Sequence, residues 1–227
     1  MVLLTTSGRP LDIRETGARA ILHLWYPGSA AGQATANLLF GEAAPSGKLP
    51  FTWVTDAAMA PVSYAHLPSH APKEAENWHL DTPNIPAYPF GYGLGYSTFT
   101  CSNLEVLDPV VRPGKPVRIA VYLANTGKRR ATEVAQLYIH QRRGSSSRPV
   151  RQLKGFQRIE LEPGETRRIE FTLEQEDLAY WSAAVRRKVA KASVFDVWIG
   201  TDSRADLAGR FEVRRQNFEL TSRDKPF

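Results

Sequence analysis

One cysteine, Cys101, stands in 227 residues. This excludes an intramolecular disulfide framework and a thiolate zinc site, which needs at least two such ligands. Long apolar runs are also missing. Stretches such as Ile21 to Trp25 and Ala183 to Val185 fall far short of the roughly 20 residues a membrane helix needs, so no spanning segment and no membrane partner are expected. The opening residues, Met1-Val-Leu-Leu-Thr-Thr, lack the basic segment and the roughly 7 to 15 residue apolar stretch of a secretory leader. Acidic excess is absent: 29 Lys and Arg against 23 Asp and Glu give a net charge of +6. Such a charge favours anionic partners where it is gathered in one place. Along the chain it is spread over Lys128-Arg129-Arg130, Arg142-Arg143 and Arg186-Arg187-Lys188, each beside turn residues and without the interleaved aromatics that stack on bases. These clusters read as solvated hairpin ends, and nucleic acid is not an expected partner.

What is present is a packed-core composition, 42% hydrophobic and 23% charged. From about Ser102 onward, short runs alternate apolar and polar residues between turn signals. Val117, Ile119, Val121 and Leu123 form one such run, closed by Asn125-Thr-Gly127. Ala135, Leu137 and Ile139 form another. Ile159 and Leu161 lead into Pro163-Gly164, and Ile169, Phe171 and Leu173 follow. Phe195, Val197 and Ile199, then Leu104 to Leu107 and Phe211 to Val213, bring the total to about seven short strands, the rhythm of an all-β immunoglobulin-like, fibronectin type III-like sandwich. Trp198 is expected in the core. Tyr180 and Trp181, after the Glu174-Gln-Glu-Asp177 turn, fit either the core or a cap on the neighbouring segment.

The first sixty residues follow α/β grammar. Val2-Leu3-Leu4 reads as a buried strand, Ala20 to Trp25 as another, and Gly32 to Phe40 as a short helix with Ala34, Leu38 and Leu39 on one side. A parallel sheet is normally covered on both faces, so so short a segment reads as an α/β remnant, the tail of a larger domain. The expected division is residues 1–60 for this remnant, 61–99 for a linker or wrapping loop ending in an aromatic, glycine-rich junction, 100–215 for the sandwich, and 216–227 for a tail.

Motifs with chemical potential are few. Gly41 to Leu49 approximates a phosphate-binding loop, but one residue too many separates Gly41 from Gly47, and Leu49 stands where a magnesium-holding Ser or Thr belongs. A turn between helix and extended chain is the expectation. His66 and His70 have the i, i+4 spacing of paired ligands, with Glu74, Glu76 and His79 nearby, yet Pro68 opposes the helix they need, so solvated loop histidines and no metal are expected. No Gly-x-Ser-x-Gly elbow occurs, and Cys101 has no adjacent histidine. The stretch from Tyr88 to Phe99, with Gly91, Gly93 and Gly95 among five aromatics, fits stacking on sugar rings or gluing two domains together; gluing is the preferred expectation.

Several of these segments, taken in order, resemble the C-terminal part of family 3 glycoside hydrolases of the β-glucosidase type. They are Ser7-Gly-Arg-Pro-Leu11, the Gly28 to Gly32 turn entering a helix that ends at Leu39-Phe-Gly41, Pro45-Ser-Gly-Lys-Leu-Pro50, and Tyr88-Pro-Phe-Gly-Tyr-Gly-Leu94. Asn125-Thr-Gly127, Val134 to Tyr138, Arg148 to Phe156, Leu161 to Glu165 and Trp198 to Asp202 resemble that family's fibronectin type III-like domain. Gly95 departs from the family's usual serine, and Trp78-His79 from its aromatic pair.

The resemblance implies a retaining glycosidase acting on a β-linked glycoside. Such an enzyme uses a nucleophilic Asp and an acid/base Glu with carboxyl groups roughly 5 to 5.5 Å apart. In the family the first lies on a barrel and the second upstream of the Gly-Arg-Pro-Leu motif, so neither is expected in this chain. The expectation is therefore no catalytic residue, no metal site and no cofactor, with Asp12, Glu15 and Glu42 read as surface or helix-start acids. A missing barrel domain or subunit is an implied partner. The alternative is a non-catalytic carbohydrate- or protein-binding module. Glycone specificity, whether for a glucoside, a xyloside, an N-acetylglucosaminide or another, and periplasmic, secreted or cytoplasmic placement stay open.

Overall fold

The computed structural model describes residues 1–13, 16–56, 59–70 and 85–214. The first apolar runs form β1 (Val2–Thr5) and β2 (Ala20–His23), paired in parallel with Val2 opposite Ala20 and Thr5 opposite His23. Among the described residues this sheet has two strands only. Val2 and Leu4 are exposed rather than buried as expected, because nothing described covers the sheet on both faces. Helix α1 (Ala31–Phe40) follows and stops at Gly41, whose φ of 83° and N–H to the Leu38 carbonyl make a left-handed cap. No residue of α1 is buried. Leu39 is exposed and Phe40 is 85% exposed, so among the described residues the apolar side predicted from Ala34, Leu38 and Leu39 is covered only in part, at Leu38.

The alternating runs beyond residue 98 become strands at the expected places: β3 (Phe99–Val106), β5 (Val117–Asn125), β6 (Ala131–Gln141), β7 (Gln152–Leu161), β8 (Thr166–Leu173), β11 (Ser193–Gly200) and β12 (Leu207–Val213). Three shorter strands were not signalled by alternation: β4 (Val110–Val111) and the hairpin of β9 (Tyr180–Ser182) with β10 (Arg187–Val189), which follows the one-turn helix α2 (Gln175–Leu178). The larger sheet has the order β4-β12-β11-β6-β7, the smaller one β3-β5-β8. Between them lies one core, in which Val117, Ile119, Val121 and Leu123 of β5 meet Ala135, Leu137 and Ile139 of β6 and Phe195, Val197 and Ile199 of β11. Phe195 and Phe211 stack there with ring centroids 5.0 Å apart.

Strand period places Trp198 outside this core. With Phe195, Val197 and Ile199 turned inward, Trp198 lies on the outer face of the larger sheet, half-buried, with the Arg151 guanidinium 4.5 Å above its ring. Its cross-strand neighbour Tyr138 is on the same outer face yet 0% exposed. Cover comes from the segment around residues 60–70 and 85–97. Tyr64 stacks on Phe90 at 4.2 Å and meets Tyr138 edge-on at 5.9 Å. Backbone bonds from Val150 N to His66 O and from Ser203 N to Phe90 O tie this cover down.

Candidate functional site

The residues that the sequence marked for chemistry fall around the seam where the N-terminal segment meets the sandwich. Its centre is Lys48. The Lys48 ammonium lies 2.7 Å from the Glu133 carboxylate and donates to the Gly93 carbonyl at 2.8 Å, with both charged side chains 12% exposed. One cation thus joins the turn after α1, the glycine-rich stretch and β6. Arg158 of β7 donates to Ser46 at 2.8 Å, and Tyr96 donates to the Leu38 carbonyl. The Gly41 to Leu49 segment therefore does what a turn does. Leu49 donates to Tyr92 and accepts from Gly91, so its backbone runs beside the stretch that follows Tyr88.

Glycine is required on that stretch by approach distance. A Cβ at Gly93 would sit 2.4 Å from the Gly47 carbonyl oxygen, and one at Gly91, where φ is 79°, would sit 2.2 Å from the Gln136 amide oxygen. Gln136 is 3% exposed and fully engaged: its Nε2 donates to the carbonyls of Gly91 and Thr201, and its Oε1 accepts from Tyr138. The aromatics of this stretch pack inward at Phe90 and stack at Tyr88 and Tyr92, 4.9 Å apart, while Leu94 is exposed.

The second cluster sits at the C-terminal edge of β1 and β2, where open parallel sheets place their ligands. The hydroxyl of Thr5 lies 2.9 Å from Nδ1 of His23. Around the His23 ring stand Trp25 at 4.6 Å and Trp53 at 5.0 Å, both edge-on, and Phe51 stacks on Trp53. The Trp53 indole donates to the Leu11 carbonyl at 2.9 Å, and this fixes the Gly8-Arg-Pro-Leu11 loop. Burial pushes the His23 imidazole below its ordinary pKa against a smaller opposing effect of the Ser7 backbone, so the ring is neutral at pH 7. Its Nε2 is buried, with no partner in hydrogen-bond geometry among the described residues. Trp25 adopts a φ of 57°, unusual for a bulky residue and a mark of a constrained turn. No charge pattern in the sequence signalled this cluster; only the aromatic spacing of Trp25, Phe51 and Trp53 hints at it.

The remaining singled-out residues scatter. Asp12 and Glu42 are exposed on separate loops. Glu15, Glu74, Glu76 and His79 lie outside the described residues. His66 is half-buried, with Nδ1 3.1 Å from the Leu67 carbonyl, and the Pro68–His70 stretch is a 3-10 turn rather than the α-helix that paired ligands would need. Among the described residues no three His, Cys, Asp or Glu side chains gather as a metal site. The Cys101 thiol is pushed up to about 11, first by burial and then by the Glu133 charge, which makes it a poor nucleophile.

With this geometry in view, comparison with known proteins is decisive about kinship. Residues 1–96 match the glycosyl hydrolase family 3 C-terminal domain, and residues 133–203 match a fibronectin type III-like domain. A periplasmic β-glucosidase of Salmonella typhimurium is 39% identical over 221 residues, covering 94% of this chain and 29% of the relative. A β-xylosidase of Formosa agariphila is 32% identical, covering 91% of this chain and 28% of the relative. The crystal structure of a Listeria innocua β-glucosidase in complex with isofagomine superposes with a TM-score of 0.85 at 34% identity, over 96% of this chain and 31% of that one. The chain belongs to glycoside hydrolase family 3 and corresponds to the C-terminal part of its β-glucosidase-type members. It spans under a third of the length of these relatives.

Proposed function

We propose that this chain is the non-catalytic C-terminal portion of a retaining β-glucosidase-type hydrolase whose two catalytic carboxylates lie outside it. In this reading, residues 1–60 are the end of an α/β domain, 61–99 wrap and join, 100–215 form the fibronectin type III-like domain, and 216–227 are a tail. The observation that carries it is the open parallel pair β1–β2, matched to the family 3 C-terminal domain, with Val2, Leu4 and Phe40 exposed where an α/β sheet normally has neighbours. The role of the chain is then to complete that sheet and brace it, through the Lys48 seam, against the sandwich. The substrate of the complete enzyme is a β-linked glycoside, with a glucoside or a xyloside as the glycone class. Assay of the purified chain with aryl β-glucoside and β-xyloside tests the reading: release of the aryl group is expected to stay at the uncatalysed rate. Turnover by the chain alone overturns it.

A further inference from the structure

Two basic clusters that are far apart in sequence meet at one end of the sandwich. Strand β6 runs away from the Lys48 seam to Gln141, which pairs with Phe195 at the start of β11. The loop bearing Arg142-Arg143 and the β9–β10 hairpin bearing Arg186-Arg187-Lys188 therefore share the end remote from the seam. Two of the three basic clusters thus share one end of the fold, while Lys128-Arg129-Arg130 lies at the other.

At this end the positive charge is incompletely compensated. Arg148 lies 4.7 Å over the Tyr180 ring and donates to the Gln152 side chain, but makes no salt bridge among the described residues, and its Nε is buried without an acceptor. Lys154 is half-buried. Its ammonium is disfavoured by burial and by the charges of Arg148 and Lys188, with Asp177 opposing them. Asp177 is itself engaged by the Glu174 amide at 2.9 Å. The loop is held in place by Ser145, whose hydroxyl is 2.7 Å from Tyr180 OH and accepts from Lys191 at 2.9 Å. On the outward face of the hairpin, opposite the buried Tyr180 and the Arg148 guanidinium over its ring, stands Trp181, 62% exposed and directly across from Lys188, so that an aromatic plane and an ammonium share one face.

We propose that this end of the sandwich binds an acidic polysaccharide, with a sugar ring stacked on Trp181 and its carboxylate seated on Lys188, within the field of the incompletely compensated cations around the hairpin. A polyuronate offers one flat ring and one carboxylate per unit, which matches one aromatic plane beside one ammonium. A nucleic acid strand calls for a longer series of aromatics interleaved with cations, and the hairpin presents one. The inference stands independently of the hydrolase reading, since none of these residues belongs to the seam or to the β1–β2 edge.

Isothermal titration of the full chain with a short oligogalacturonate tests it, with a neutral β-gluco-oligosaccharide and a single-stranded oligonucleotide as comparison ligands. Saturable binding of the oligogalacturonate, weakened by added salt, is expected, with none of the neutral sugar. Trp181→Ala and Lys188→Gln should each weaken it by about tenfold, whereas Arg130→Gln, at the seam end, should leave it unchanged. All three side chains are exposed, so unfolding temperatures should match the parent and a lost signal reads as lost contact. Absence of oligogalacturonate binding, a Trp181→Ala variant that binds as well as the parent, or tighter binding of the oligonucleotide overturns the proposal.

Discussion

Single residues at the seam carry sharp consequences, because each is held from several sides. At Gly91 a side chain faces two costs: a left-handed backbone and a Gln136 amide that three hydrogen bonds prevent from moving aside. Gly91→Ala is expected to lower stability by about 2 kcal/mol or more in urea unfolding. At Gly164, with φ 76° and nothing within 4 Å of a Cβ, only the backbone cost applies, about 1 kcal/mol. Equal losses at the two positions would contradict the packing account. Lys48→Ala leaves Glu133 largely buried without its cation and should cost about 3 kcal/mol, and the double change with Glu133→Ala should cost clearly less than the sum of the two single changes. Cys101 adds a pH signature. Its thiol titrates higher in the folded chain than in the unfolded one, so the folded state binds the proton more tightly. The associated stability is complete below about pH 8.5, the unfolded value, and is lost as pH rises through about 11. Iodoacetamide should accordingly label Cys101 slowly at pH 8 and much faster above pH 10 in the native protein.

At the scale of elements, the strands were legible because their apolar residues fall on every second position. The faces of β5, β8 and β11 follow directly from Val117-Ile119-Val121, Ile169-Phe171 and Phe195-Val197-Ile199. The same rule, applied strictly, puts Trp198 outside, and hydrophobicity alone misplaces it. Phe195→Ala should therefore be the more damaging truncation, at about 3 to 5 kcal/mol, and Trp198→Ala should cost clearly less; chemical denaturation of both variants checks the order. What covers Tyr138 was not legible, because Tyr64 and Phe90 reach it from distant positions and neither shows a strand or helix period. The Lys48–Glu133 pair and the His23 cluster were hidden for the same reason: each joins residues whose proximity exists only after folding. The hairpin ends at Lys128-Arg129-Arg130 and Arg186-Arg187-Lys188 were legible as turns, but their positions relative to Arg142-Arg143 were not.

For the molecule as a whole, two unlike parts share one chain. The sandwich has its own core between two sheets, whereas β1, β2 and α1 bury little and leave apolar side chains exposed. The sandwich is expected to unfold as a cooperative unit, with β1–β2 amides exchanging hydrogen far faster than those of β5 and β6 in native-state exchange. Uniform protection across both parts would show that the short sheet is stable unaided. The family relationship accounts for the imbalance, since the relatives are more than three times as long and supply chain that this one does not include.

The most direct test of the central claim, that these residues complete a larger hydrolase, is the nucleotide sequence immediately upstream of the Met1 codon. The account predicts a reading frame that continues upstream through a Glu-bearing α/β segment and a barrel with an Asp nucleophile. A stop codon and ribosome-binding site directly before Met1, with no barrel encoded alongside, would contradict it.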